Sequence, residues 1–358
     1  LWAPDLDALR LVTQGGDLDM AAVPGGCFEI ETDAVPVGGA YAFRLPSGMV
    51  VPDPAARAQA GDVHGPSRLV DPEAYEWRIA DWTGRPWEET VISEIHVGTL
   101  TGAGTFRAAI DALDHYARTG ITAIEIMPVA QFGGTRGWGY DGVLLYAPHS
   151  AYGTPDDLKA LVDAAHARGL MVFLDVVYNH FGPDGNYLGQ YASGFFHADR
   201  HTPWGAAIAY EKSPVRSFVI DNALYWLEEF FLDGLRLDAI DHVDDASDEP
   251  ILEEMARTIR RTITDRPVHL ATEDARNIVR LHPRDGNGRP TLYTAEWNDD
   301  YHNVVHAILT GETDGYYADF ATDRPGKLAR ALAEGFVYQG EVSEWMEGPR
   351  GVPPGDLP

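Results

Sequence analysis

Two acidic residues close apolar, strand-like runs in this chain: Asp238 ends Gly234-Leu235-Arg236-Leu237-Asp238, and Glu273 ends Val268-His269-Leu270-Ala271-Thr272-Glu273. One helical pattern separates them. Two carboxyls at the tips of neighbouring buried strands are what retaining glycoside hydrolysis requires. One stays ionised below the anomeric carbon and the other is protonated beside the leaving oxygen, with roughly 5–5.5 Å between them. Arg236 shares the strand face of Asp238, and a fixed cation there favours the ionised carboxylate. The apolar setting of Leu270 and Ala271 suits a carboxyl that must hold a proton. The same spacing fits equally a buried Arg236–Asp238 ion pair beside a Glu273 that caps the next helix.

These acids need a scaffold, and the chain predicts one. Apolar runs at 91–97, 123–129, 171–178, 234–240, 268–273 and 291–297 alternate with helical patterns near 105–119, 155–168, 215–232, 249–264 and 326–336. Thr154-Pro155-Asp156-Asp157 is a helix start, with a capping hydroxyl, a first-turn proline and acids at the positive dipole end. Near-continuous apolar strands alternating with helices mean a parallel sheet covered by helices. Polar residues gather at successive strand ends: Glu94 and His96, then Asp175, Asn179 and His180, then Arg236 and Asp238, then Glu273, then Glu296 and Asn298. That is the active face of a (β/α)8 TIM barrel. No glycine-rich phosphate loop follows the first strand, which argues against a doubly wound sheet.

Only six βα units are legible, so 91–358 reads as a catalytic barrel lacking its last two. Residues 1–50 carry short alternating runs broken by Gly-Gly and Pro-Gly turns, the pattern of a small all-β, immunoglobulin-like sandwich truncated at its start. Residues 51–90, rich in Pro, Gly and Asp and carrying Trp77, Trp82 and Trp87, read as a connector packed onto the barrel.

The balance of 27 basic against 55 acidic residues, a net charge of −28, disfavours nucleic acid and anionic membranes as partners. Cys27 stands alone, so no internal disulfide is possible and a reducing compartment is expected. No apolar run of membrane-spanning length and no signal segment occur, and a soluble, cytoplasmic protein is expected.

Asp175-Val176-Val177-Tyr178-Asn179-His180, Gly234-Leu235-Arg236-Leu237-Asp238 and the strand ending at Glu273 resemble, in order and spacing, three sequence regions of the alpha-amylase-type glycoside hydrolases. The resemblance implies Asp238 as nucleophile, Glu273 as general acid/base and Arg236 as the positioning cation. It also implies Asp175 and His180 around the cleaved sugar and Tyr140, in Trp138-Gly139-Tyr140-Asp141, stacking on it. Asn179 matches a position that binds calcium in many members; a full set of oxygen ligands is not legible, and neither a metal nor an organic cofactor is expected.

His96-Val97-Gly98-Thr99, Met127-Pro128-Val129-Ala130-Gln131-Phe132, Thr202-Pro203-Trp204-Gly205 and Ala295-Glu296-Trp297-Asn298-Asp299-Asp300 narrow the resemblance to the malto-oligosyltrehalose trehalohydrolases. That group cleaves the α-1,4 bond next to a terminal trehalose, with an α-glucan chain as substrate. Trp204, Trp297 and Trp138 would then stack on glucosyl rings, or else pack at loop bases. Glu296, Asn298, Asp299 and Asp300 would bind sugar hydroxyls, or else form turns and cap a helix. Asp241 stands where many alpha-amylases carry lysine, while His242 keeps the histidine that follows it. The family also uses a third acid, an aspartate in a His-Asp pair after a seventh strand. Nothing after residue 335 fits it, so the sequence reads as partial and inactive as written. Two alternatives remain: a glycogen-branching transferase and a non-catalytic glucan-binding fragment.

Overall fold

A computed structural model describes residues 1–355 of the chain. Its central sheet has six parallel strands: β1 Ile92–Ile95, β2 Ala123–Ile126, β3 Met171–Val176, β4 Gly234–Leu237, β5 His269–Glu273 and β6 Ala295–Trp297. They pair in sequence order. The connections carry helices α1 Leu113–Arg118, α2 Pro155–His166, α3 Ser213–Glu229 and α4 Ile251–Thr262, while α5 Asp299–Thr310 and α6 Arg324–Glu334 follow β6. Sequential βα units around one parallel sheet are the wall of a (β/α) barrel. Strands β2, β3 and β4 are buried at every position, as strands flanked by helices on one side and the barrel interior on the other must be.

Local sequence accounts for the start of α2. Thr154 accepts from the Asp157 N–H at 3.2 Å, and Asp157 returns a bond to the Thr154 N–H at 2.9 Å, so the predicted start is a full capping box. Helix α5 is an element the apolar periodicity does not announce, because its first turn is wholly polar. Asn298 starts it by accepting from the Tyr301 N–H at 3.0 Å, and Gly311 ends it at φ 80°.

The pleat sorts the strand residues into an inward and an outward set. Phe173, Gly234 and His269 lie side by side in register, and so do Asp175, Arg236 and Ala271 one pleat higher. The lower part of the interior is apolar and aromatic: Ala123, Met171 and Phe173 pack with Ile92, Trp82 and Trp87. The connector therefore supplies the floor. Trp82 stacks on His166 at 4.6 Å and donates Nε1–H to Asp233 at 2.7 Å. Trp87 stacks on Phe173 at 6.4 Å. Farther along, buried Asp163 accepts from Tyr75, from Arg78 and from the backbone N–H of Ile79.

The first residues, expected as a sandwich, form one five-stranded antiparallel sheet and a two-stranded hairpin. The sheet joins Arg10–Thr13, Gly16–Asp19, Ala40–Arg44, Val50–Val51 and Ser67–Arg68; the hairpin pairs Ala21–Val23 with Cys27–Glu29. The sheet thus draws Ser67–Arg68 out of the stretch read as connector. Among the described residues no helix is long and apolar enough to cross a membrane.

Candidate active site

Arg236 is the hub of the upper interior. Its Nη1 donates to Asp175 Oδ2 at 2.7 Å and to Asp238 Oδ1 at 2.9 Å, while Nη2 lies 2.8 Å from Glu273 Oε2. Strand register dictates this: Asp175 and Arg236 are lateral neighbours on β3 and β4, and Asp238 and Glu273 lie at the tips of β4 and β5 on the same inward face. Burial works against the charge on Arg236, but the three carboxylates together hold the guanidinium well above its ordinary range. A planar guanidinium sets two fixed nitrogens between these carboxylates, where an ammonium would offer a single one.

Each acid has further partners. Asp238 Oδ2 accepts from Asn179 Nδ2 at 3.1 Å, and the same amide donates to the Asp238 carbonyl at 2.8 Å. Glu273 Oε2 accepts a second bond, at 2.8 Å, from the backbone N–H of Ala239. Ala239 adopts a left-handed conformation, φ 42°, ψ 55°, unusual for a residue with a Cβ. This turn aims its N–H across to β5. Asp175 is buried beneath the pair. Its Oδ2 also accepts from Tyr140 Oη at 2.8 Å, and burial pushes it up to about 7 against the pull of Arg236. Burial, then the Asp175 charge, push the Tyr140 hydroxyl up as well. Gly139 at φ 102° lets the chain pass against the Pro128 carbonyl, where a Cβ has no room, and so presents Tyr140 to the site.

Above these groups lies a cleft of ≈ 690 Å³, within the roughly 300–1,000 Å³ typical of small-ligand sites. Tyr140, His180, Trp204, Arg236, Asp238, His242, Glu273, Trp297 and Asp299 all line it, so most residues singled out from sequence converge. Trp204 sits in the tight turn between strands Phe196–Thr202 and Gly205–Ile208. It stacks on His180 at 4.8 Å and meets His242 edge-on at 4.9 Å. His180 reaches the Tyr140 carbonyl at 3.0 Å, and burial lowers its pKa. Asp299 is pushed up to about 7 by burial and then by the Glu273 charge.

Three expected sugar ligands are placed otherwise. Glu296 pairs in register with Thr272, whereas its neighbour Trp297 pairs with Glu273; the pleat therefore turns Glu296 away from the cleft. Its two carboxyl oxygens are buried without a hydrogen-bond partner among the described residues, and burial, then the Asp274 charge, push it up to about 9. The Asn298 side chain is committed as the cap of α5 and to the Gly335 carbonyl. Asp300 is fully buried and accepts from the Val337 N–H at 2.7 Å, the Tyr338 N–H at 2.9 Å and Asn277 Nδ2 at 2.8 Å, with Arg350 2.6 Å away.

The cleft also has walls the sequence did not announce: His302, Asn303, Tyr316, Trp345 and Arg350. The helical period offered one signal, since His302 and Asn303 fall one turn beyond Asp299 once α5 is recognised as a helix. Asn179, the residue at a calcium position in many alpha-amylases, spends its amide on Asp238, and its Oδ1 meets His180 Nδ1. Among the described residues no three His, Cys, Asp or Glu side chains gather as a metal site would need.

Residues 75–204 match the family model "Alpha amylase, catalytic domain". The malto-oligosyltrehalose trehalohydrolase of Deinococcus radiodurans is 41% identical over 95% of the chain, which covers 55% of that protein. The enzyme of the same name from Saccharolobus solfataricus is 39% identical over 100% of the chain and 63% of its own length. A crystal structure from Salmonella typhimurium, assigned as an alpha amylase, is 58% identical with a TM-score of 0.97 over 99% of this chain and 60% of that one. The chain thus spans somewhat over half the length of the relatives it matches. With the Asp238–Arg236–Glu273 constellation on a (β/α) barrel wall, the chain is similar over nearly its whole length to the malto-oligosyltrehalose trehalohydrolases, and over residues 75–204 to the alpha-amylase catalytic domain.

Proposed function

We propose that this chain carries the catalytic pair of a retaining glycoside hydrolase that cleaves the α-1,4 bond beside the terminal trehalose of malto-oligosyltrehalose. The observation that carries the reading is the single guanidinium shared by Asp238 and Glu273, at 2.9 and 2.8 Å. Two carboxyls on one fork favour the separation of retaining enzymes, roughly 5–5.5 Å, over the roughly 6.5–9.5 Å of inverting ones.

Glu273 Oε2 is engaged by Arg236 and by the Ala239 N–H, which leaves Oε1 to carry the transferable proton. That proton passes to the glycosidic oxygen as an Asp238 carboxylate oxygen bonds to the anomeric carbon and the bond to trehalose breaks. Glu273, now ionised, takes a proton from water. The water oxygen displaces Asp238 and frees the malto-oligosaccharide with its α configuration retained. Trp204, Trp297 and Tyr140 offer aromatic faces to the glucosyl rings, and Asp241, His242 and Asp299 offer polar groups on the cleft wall. The names of the relatives support trehalose as the leaving group.

The test is incubation of the protein at its full length with malto-oligosyltrehalose. Trehalose should appear with a new α-configured reducing end, and Asp238→Asn should abolish it. New α-1,6 branches on amylose without trehalose release would replace this reading by a branching transferase.

A further inference from the structure

We propose that Glu125 is a positioning residue for this reaction, whose protonated carboxyl donates a hydrogen bond to the free oxygen of Asp175 from beneath. The proposal rests on the reading of Asp238 and Glu273 as the catalytic pair.

Glu125 lies in the middle of β2 and is only 1% exposed. In register it stands beside Glu94 on β1 and Phe173 on β3. It therefore shares the inward face with Asp175, which is one strand across and one pleat higher. The diagonal combines a strand spacing of about 4.8 Å with a rise of about 6.7 Å over two residues, a gap that the two methylenes of a glutamate help to span.

The hydrogen-bond inventory then constrains the pair. Arg236 spends Nη1 on Asp175 and Asp238 and Nη2 on Glu273, while its Nε is buried and bonded to neither Asp175 nor Glu125, and Glu125 has no ion-pair partner among the described residues. Asp175 Oδ2 is satisfied by Tyr140 and Arg236, but Asp175 Oδ1 is buried without a partner, and so is Glu125 Oε2. Two ionised carboxylates facing each other out of water would repel. One neutral acid supplies the missing donor, and a carboxylic acid is the only form of Glu125 that can donate. The groups acting on Glu125 are Asp175, Arg236, Glu94 and Glu273; burial first, then the Asp175 charge, push it up to about 8. A neutral Glu125 fixes Asp175 from three sides and leaves the Arg236 charge to Asp238 and Glu273.

Three variants of the full-length protein test this, read as kcat and KM against pH. Glu125→Gln keeps a donor of the same length, so kcat at pH 6 should stay within about threefold of the parent. Its alkaline limb should extend to higher pH, because the parent loses the Glu125 proton there and gains a repelling charge under Asp175. Glu125→Asp, too short to reach, should lose at least tenfold in kcat with little change in KM. Glu125→Leu should behave like Glu125→Asp if it folds. A Gln variant as impaired as the Asp variant, or one with the parent's alkaline limb, would overturn the proposal. Asp238→Asn run in parallel separates the two failures: if it still turns over, the catalytic pair itself has been misread.

Discussion

The backbone N–H of Ala239 donates to Glu273 Oε2 at 2.8 Å, so the residue after the proposed nucleophile orients the proposed acid/base. The bond exists because Ala239 takes a left-handed conformation at φ 42°. A glycine reaches that region freely, an alanine at some cost, and a β-branched residue hardly at all. Ala239→Gly should leave kcat within about threefold and melting temperature unchanged or slightly raised. Ala239→Val should lose at least about tenfold in kcat and about 1–3 kcal/mol in stability. Equal kcat values for the two variants would show the turn to be irrelevant.

Arg236 is a second sensitive point. Lysine restores the charge, but its single nitrogen cannot reproduce the two fixed ones that Arg236 sets between Asp175, Asp238 and Glu273. Arg236→Lys should fold and lose about a hundredfold or more in kcat/KM. Arg236→Ala leaves buried carboxylates without their cation and should cost roughly 3–5 kcal/mol in urea unfolding. A lysine variant with near-parental turnover would remove the fork from the mechanism.

Adjacent Asp299 and Asp300 should separate cleanly. Asp299 lines the cleft, so Asp299→Asn should act on KM and leave the melting temperature nearly unchanged. Asp300 holds Asn277, two backbone N–H groups and Arg350. Asp300→Ala leaves two backbone N–H groups and the Asn277 amide without their acceptor and leaves Arg350 with Asp319 alone as its ion-pair partner, and should cost roughly 3–5 kcal/mol. Calorimetry and kinetics on the two variants check the division.

Glu296 makes a prediction about pH. Its folded pKa is raised to about 9 by burial, against about 4.3 for a free side chain. Between these values the folded state holds a proton that the unfolded state has released. The contribution is therefore fully present below about pH 4 and is lost as pH rises towards 9. Glu296→Gln removes the titration. It should stabilise the protein at pH 7 by roughly 1–3 kcal/mol and flatten the fall in stability between pH 5 and 9. Parallel stability curves for parent and variant would contradict the burial argument.

Much of this site was legible because strand tips are marked by local sequence. An apolar run ending in an acid announces both a buried strand and a side chain at its mouth, which holds for Asp238 and Glu273. Alternation fixed Arg236 on the face of Asp238. The same rule, applied to the last strand, would have sent Glu296 and Trp297 to opposite faces; the cluster of polar residues there masked the pleat. Asn298 and Asp300 were obscured because capping and backbone-binding carboxylates share residue types with sugar ligands. Trp345 and Arg350 reach the cleft from residues more than a hundred positions after Asp238, a closure no local pattern records. The first fifty residues gave strands and turns correctly in kind, but which strands pair depends on contacts that alternation does not encode.

The tryptophan floor has its own consequence. Trp82 and Trp87 belong to the stretch before β1, yet they fill the lower barrel and bond to groups from β3, α2 and the start of β4. Cutting the chain at residue 91 would open the apolar underside of the sheet to water and leave Asp233 and Asp163 short of donors. The stretch before the barrel is therefore a stopper and not a tether. Denaturation should register it together with the barrel in one cooperative transition, and grafting the barrel elsewhere would require carrying residues 71–90 with it.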